Sequence, residues 1–185
     1  MIHRHDDVCP VELAARLDNR YRRWFQNPSK LLAPYIEEGM TVLDFGCGPG
    51  YFTVDMAKMV GDSGRIIAVD RQEGMLQLLK NKITGTELES RITLHKSEAD
   101  KIGLTDRIDF ALAFYVIHEL PSQEDFFKEL ASILKPGGKV FLSEPPFRAP
   151  KNVFMRMIKI AEGAGFRIDK KPRIFITKTV VLRKN

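Results

Sequence analysis

Apolar positions along this chain follow two rhythms. Short apolar runs at residues 41–45, 65–70, 108–114 and 139–144 are edged by Gly, Asp, Ser or Lys, and a further strand is predicted over 92–96, after a polar connection. Between most of them, apolar residues recur at three- and four-residue steps. A short unbroken run edged by turn residues is how a strand buried on both faces reads, and a 3.6-residue period is how a helix with one buried face reads. The helices predicted this way are 51–60, 73–82, 123–134 and 152–164. Alternation of strand and helix predicts a parallel sheet with helices on both faces, an α/β doubly wound class. The end of the chain breaks the rhythm. Residues 166–170 and 175–183 are two extended runs joined by a short link containing Pro172. The link has no room for a helix, so the two runs are predicted to pair antiparallel as a hairpin.

Ahead of the first strand the pattern is helical. Pro10 suits a first helical turn. Val11, Leu13, Ala14, Leu17, Tyr21, Trp24 and Phe25 then recur at helical steps, opposite Arg16, Arg20 and Arg23. This predicts a helix over 10–26, broken by Asn27-Pro28-Ser29, and a short second helix over 30–36. Residues 1–36 are expected to form a helical cap on a main domain of 37–185, within one compact unit. A length of 185 residues fits a single domain.

Chemistry concentrates where the first strand ends. Thr41-Val-Leu-Asp-Phe runs into Gly46-Cys47-Gly48-Pro49-Gly50. Three glycines there allow positive φ and close approach of a ligand to the backbone. The second strand ends in Asp70, at the β-α-β distance where a carboxylate can accept hydrogen bonds from both ribose hydroxyls. Turn and carboxylate together indicate an adenosine-type ligand. A dinucleotide fingerprint is G-x-G-x-x-G. Here the spacing is G-x-G-x-G, with Asp44 two residues before the first glycine. A carboxylate at that place repels pyrophosphate and suits an ammonium group.

Residues 42–50 resemble motif I of the class I S-adenosylmethionine-dependent methyltransferases, of the methyltransferase type 11 or ubiquinone/menaquinone methyltransferase kind. The resemblance covers roughly residues 39–166. It implies a Rossmann-like sheet, mostly parallel and seven-stranded, with the last strand antiparallel. It also implies S-adenosylmethionine as cofactor, held by Asp44, Gly46, Cys47, Gly48, Gly50 and Asp70. Arg71 and Met75 fall beside the ribose and adenine, with helix core as the competing reading of Met75. Glu98 matches the acid that accepts from the adenine amino group, with Asp100 as its rival, and the backbone N–H of Ala99 reaches a ring nitrogen. Residues 109–121 resemble motif IV. There Ala113 and Phe114 line the methionine side, with Tyr115 and His118 just beyond. His118 is a candidate proton acceptor, against the plainer reading of a helix-start histidine bonded to backbone. Residues 134–142 resemble the turn into strand five, with Gly137 and Gly138 closing the preceding helix. After that strand, Pro145 and Pro146 stiffen a loop, one X-Pro bond being a candidate for cis. Phe147 and Arg148 are the candidate substrate contacts on it. Tyr21, Trp24 and their neighbours Arg22 and Phe25 are the candidate lid. The resemblance also bounds the chemistry. Phe114-Tyr-Val-Ile is not the (N/D)-P-P-(Y/F) turn of base amino methylation, and the acid cluster of metal-dependent relatives is missing, so no metal is expected.

Charge and composition add limits. No apolar run approaches the roughly 20 residues that span a bilayer, and the start lacks the apolar core of a signal peptide, so a cytoplasmic protein is expected. Cys9 and Cys47 have no metal-ligand spacing. The net charge of +5 and pI near 9.2 permit a nucleic-acid partner without requiring one. The expected reaction is methyl transfer to a small or medium organic acceptor, a quinone-like lipid precursor included by resemblance. The alternatives are an RNA acceptor, favoured only by the charge and the basic run at 20–23, and a non-catalytic S-adenosylmethionine-binding protein. A nicotinamide dehydrogenase is disfavoured by the glycine spacing.

Overall fold

A computed structural model describes residue 11, residues 20–98 and residues 101–185, and the side chains of all of these except 20–22. The elements in chain order are α1 (Arg20–Phe25), α2 (Pro28–Leu32), β1 (Thr41–Phe45), α3 (Thr53–Met59), β2 (Arg65–Asp70), α4 (Glu73–Ile83), β3 (Ile92–Lys96), β4 (Ile108–Phe114), α5 (Gln123–Ile133), β5 (Leu134–Glu144), α6 (Lys151–Gly163), β6 (Phe166–Lys170) and β7 (Lys178–Lys184). Of the helix expected over 10–26, residue 11, α1 and Gln26 fall within the described residues, and the helix ends at Phe25.

The seven strands form one sheet in the order β3-β2-β1-β4-β5-β7-β6. The pairs from β3 through β5 are parallel. β7 runs antiparallel to both β5 and β6. Side chains alternate across the strands, so each face builds its own core. Leu43, Phe45, Ile67, Val69 and Ala111 pack toward Phe126, Phe127 and Leu130 of α5 and Phe154 and Met157 of α6. Val42, Ile66, Ala68, Phe110 and Leu112 pack toward Leu32 of α2, Met56 of α3 and Leu79 of α4. Each fully buried Leu, Ile or Phe stabilises by roughly 1.5–3 kcal/mol, which is why the parallel strands read as continuous apolar runs.

Four boundaries differ from expectation. The helix after the glycine turn starts at Thr53, leaving Tyr51 and Phe52 in the turn itself. The second short helix is Pro28–Leu32, with Pro28 at its first position and the Asn27 side chain accepting from the Lys30 N–H. β5 begins at Leu134, because Leu134 already pairs with Ile108. The next partners are Lys139 and Phe110, so residues 135–138 bulge out of the ladder within β5. Gly138 is needed there, since a Cβ would lie 2.9 Å from the Asp109 carbonyl oxygen. β7 starts at Lys178, and Phe175 and Ile176 belong to the link before it. The cis candidate is also corrected, for no described peptide bond is cis.

The strand order reverses at β1. From there the chain steps out through β2 and β3, then returns to β4 on the other side. In such sheets the crevice at the carboxyl ends of the two central strands is where ligands bind.

Candidate cofactor and acceptor site

The crevice is a cleft of about 970 Å³, counting the part open to solvent. It is lined from β1 and its turn by Asp44, Gly46, Cys47, Gly48, Tyr51 and Phe52. β2 and α4 contribute Asp70, Arg71, Gln72 and Met75, the β3 end Ser97 and Glu98, and the β4 end Phe114, Tyr115, Val116 and Glu119.

The glycine turn is tied to β2. The N–H groups of Gly46 and Cys47 both donate to the Val69 carbonyl, at 2.8 and 3.0 Å. Gly46 has φ 73°, and a Cβ on it would sit 2.6 Å from Val116 Cγ2. A side chain there would therefore strain the backbone and strike the opposite wall of the cleft. Gly50 has another task. It does not line the cleft; a Cβ on it would lie 2.4 Å from Leu79 Cδ1, so its absent side chain lets α4 pack against the turn.

Asp70 closes β2. Its Oδ2 accepts from the Gly48 N–H and its Oδ1 from the Gln72 N–H, both at 2.9 Å. A carboxylate has about four lone-pair sites, so acceptor capacity remains for ligand hydroxyls. Burial raises the Asp70 pKa above the ordinary carboxyl value, opposed by the Gln72 and Gly48 N–H groups and by Arg71. Asp44 is buried and accepts from Thr53 Oγ1 at 2.6 Å. The Cys47 thiol is pushed well above its usual pKa, first by burial and then by Asp44 and Asp70, so it is an inert wall atom.

The other wall is aromatic. Phe52 and Phe114 lie 4.5 Å apart by ring centroids, and Phe114 and Tyr115 also 4.5 Å. Tyr115 holds φ 65°, rare for a residue with a Cβ, and its N–H is anchored on the Ser143 carbonyl at 2.8 Å. Gln26, which follows α1, spans the cleft mouth. Its Nε2 donates to Tyr115 Oη at 2.8 Å, and its carbonyl accepts from Tyr51 Oη at 2.9 Å.

Several expected site residues fall elsewhere. Ala113 is 1% exposed and packs in the core beneath the cleft, because its side chain alternates to the opposite face from Phe114. His118 stands behind the cleft wall, bonded through Nδ1 to the Glu144 carboxylate rather than to backbone. Phe147 and Arg148 are exposed on the β5–α6 loop, outside the cleft lining. Trp24 is exposed on the outer side of α1. Ala99, Asp100 and the side chains of Tyr21 and Arg22 lie outside the described residues. Met75 satisfies both of its readings, being buried in α4 yet part of the cleft floor.

Sequence reasoning missed Glu119, Glu144 and Gln26. Glu119 lines the cleft, and burial raises its pKa against the pull of His118 and Arg71. Its signal was present as the acid directly after His118. The pairing of Glu144 with His118 spans 26 positions and had no local signal.

The described lining thus carries Asp44, Asp70, Glu98 and Glu119 against one cation, Arg71, in a chain whose net charge is +5. Such a cleft disfavours pyrophosphate and favours a cationic adenosine derivative. Strand order, reversed β7, glycine turn and ribose-type carboxylate together define a class I methyltransferase fold with an S-adenosylmethionine type of site.

Comparison with known proteins agrees. Residues 36–162 match the model of a methyltransferase domain family, and the chain belongs to that family. Its cofactor is accordingly S-adenosylmethionine. A demethylmenaquinone methyltransferase of Lactobacillus johnsonii is 34% identical over 141 residues, covering 76% of this chain and 56% of that protein. The enzyme of the same name from Halalkalibacterium halodurans is 28% identical, covering 68% of this chain and 50% of that protein. The chain thus spans about half the length of these curated relatives. A SAM-dependent methyltransferase of Aquifex aeolicus superposes with TM-score 0.85 at 28% identity, over 95% of this chain and 98% of that one.

Proposed function

We propose that this chain transfers a methyl group from S-adenosylmethionine to a small or medium organic acceptor with a flat, largely apolar body, such as a hydroxylated quinone precursor. The observation that carries the reading is the acid-lined cleft with Asp70 presented at the end of β2. In this reading Asp70 takes the ribose hydroxyls, Met75 and Ser97 flank the adenine, and Asp44 faces the cationic amino-acid arm. The cofactor supplies an activated methyl group on a sulfonium. What the protein must add is alignment of the acceptor and exclusion of water. Phe52, Phe114, Tyr115 and Tyr51 give the acceptor an aromatic wall, and aromatic faces attract a sulfonium. His118, held by Glu144 behind the wall, braces the turn after β4 that carries Tyr115 and Glu119 into the cleft. The names of the curated relatives support a quinone-like acceptor.

The test is transfer of an isotopically labelled methyl group to a panel of hydroxylated naphthoquinols, phenols and RNA. Label in a small aromatic product is expected. Label in RNA alone, or in none of the panel while the cofactor binds, contradicts the acceptor assignment.

A further inference from the structure

Basic residues are unevenly placed along this chain. Residues 19–36, 145–161 and 170–185 hold 14 of its 29 Lys and Arg and no Asp or Glu. The fold brings these three segments together. The Phe25 ring at the end of α1 stacks on Phe175 of the β6–β7 link at 5.6 Å. Lys178, at the start of β7, donates to the Ala149 carbonyl of the β5–α6 loop at 2.7 Å.

Large apolar side chains stand out on this same face. Trp24 is 83% exposed, Phe147 79%, Phe175 64% and Ile176 63%. Trp24 and Phe25 are in ring contact at 5.5 Å, so Trp24, Phe25, Phe175 and Ile176 make one continuous patch. Ile176 holds φ 55°, an outlier for a β-branched residue, at the tip of the link. Exposed Lys171 and Arg173 precede Phe175 in the same link, and Lys170 just before them sets its Nζ over the Tyr35 ring at 5.9 Å. The patch borders the cleft, since Gln26, next to Phe25, bonds both Tyr51 and Tyr115 of the lining.

We propose that this face docks on the surface of a bilayer containing anionic phospholipid, with Trp24, Phe175 and Ile176 at headgroup depth and the cationic residues against the lipid phosphates. Trp and Tyr favour the interface because one ring carries apolar area and a polar tip. Lys and Arg near an anionic surface add attraction that decays within a Debye length. An RNA partner would use the same cations, but the exposed aliphatic Ile176 offers a phosphate backbone nothing, whereas a bilayer interface takes it up. Docking this way turns the cleft mouth toward the membrane. This goes beyond the catalytic reading and does not depend on it.

The experiment is sedimentation of the full chain with vesicles of phosphatidylcholine and phosphatidylglycerol in equal parts, and with phosphatidylcholine alone. Thermal melting checks that each variant is folded. The expected result is binding to the anionic vesicles that weakens as salt rises. Phe175→Ser with Ile176→Ser, and separately Lys170→Glu with Lys171→Glu and Arg173→Glu, should each lower partitioning about tenfold or more. Charge reversal at the distant Lys58, Lys80 and Lys101 should leave most of it. Absence of binding to anionic vesicles, equal loss with the distant reversals, or binding to mixed-sequence RNA that the Phe175→Ser, Ile176→Ser double variant does not affect would each overturn the proposal. Cofactor affinity, measured on the same samples, reports separately on the cleft.

Discussion

Glu144 Oε2 lies 2.5 Å from His118 Nδ1, and Glu144 Oε1 accepts from the Ile117 N–H at 2.9 Å. Glu144 is 0% exposed, so one buried carboxylate fixes both the turn after β4 and the orientation of the imidazole. This relation joins the end of β5 to the end of β4 across two adjacent strands.

The first prediction follows from that carboxylate. Glu144→Ala leaves the buried Ile117 N–H without its acceptor, at a cost of about 1–3 kcal/mol, and releases the part-buried His118 ring. Urea unfolding should show a lowered midpoint. Glu144→Gln keeps the shape and one acceptor, so it should fold better than the alanine variant. Cofactor affinity should change little in both. A glutamine variant destabilised as much as the alanine one would contradict this tie between the two strand ends.

A second prediction concerns the ribose carboxylate. Asp70→Ala removes charge-assisted hydrogen bonds and the tie between Gly48 and Gln72. Affinity for S-adenosylmethionine should fall by roughly tenfold or more. Because burial raises the Asp70 pKa, affinity in the parent should begin to decline at a higher pH on acidification than an ordinary carboxylate would dictate. Titration calorimetry across pH measures both effects, and unchanged affinity in Asp70→Ala would move the ribose contact elsewhere.

The glycine turn gives a third. Gly46→Ala meets two separate penalties, the positive φ and the close approach of Val116. The backbone part is of order 1–3 kcal/mol and the contact part adds to it. Val116→Ala in the same chain should recover the contact part alone. Full recovery of stability in the double variant would mean that the backbone adapts freely at residue 46.

A fourth rests on linkage. The Glu119 carboxyl pKa is raised in the folded protein, chiefly by burial. The folded state then holds that proton more tightly than the unfolded chain. The stability it contributes is fully present below the unfolded carboxyl pKa and is lost as pH rises through the folded one. Glu119→Gln removes this loss. The variant should melt at a higher temperature than the parent near neutral pH, and the difference should shrink toward about pH 4. A gap of the same size at both ends of that range would contradict this assignment.

Much of this architecture was legible in the residues. The strand cores β1, β2 and β4 are short apolar runs whose bounds follow from burial on both faces, and the antiparallel β7 followed from a link too short for a helix. Asp44, Asp70 and the glycines were legible because one β-α-β unit places them at fixed spacing. What pattern could not supply were relations between distant segments. The bulge at 135–138 comes from the Leu134–Ile108 pairing, which skips ahead to Lys139 and Phe110. The position of His118 behind the cleft wall comes from Glu144, and the burial of Ala113 comes from the face its register gives it. The closing of the mouth by Gln26 depends on two tyrosines, 25 and 89 positions away.

The central claim is that a notch ringed by carboxylates between β1 and β4 selects a cationic adenosine derivative over a pyrophosphate one. Titration calorimetry of the full chain with S-adenosylmethionine, S-adenosylhomocysteine and NADH tests it directly. Saturable binding of the first two, with no heat from NADH, is the predicted result. Binding of NADH, or no binding of either adenosine derivative at millimolar concentration, would contradict it.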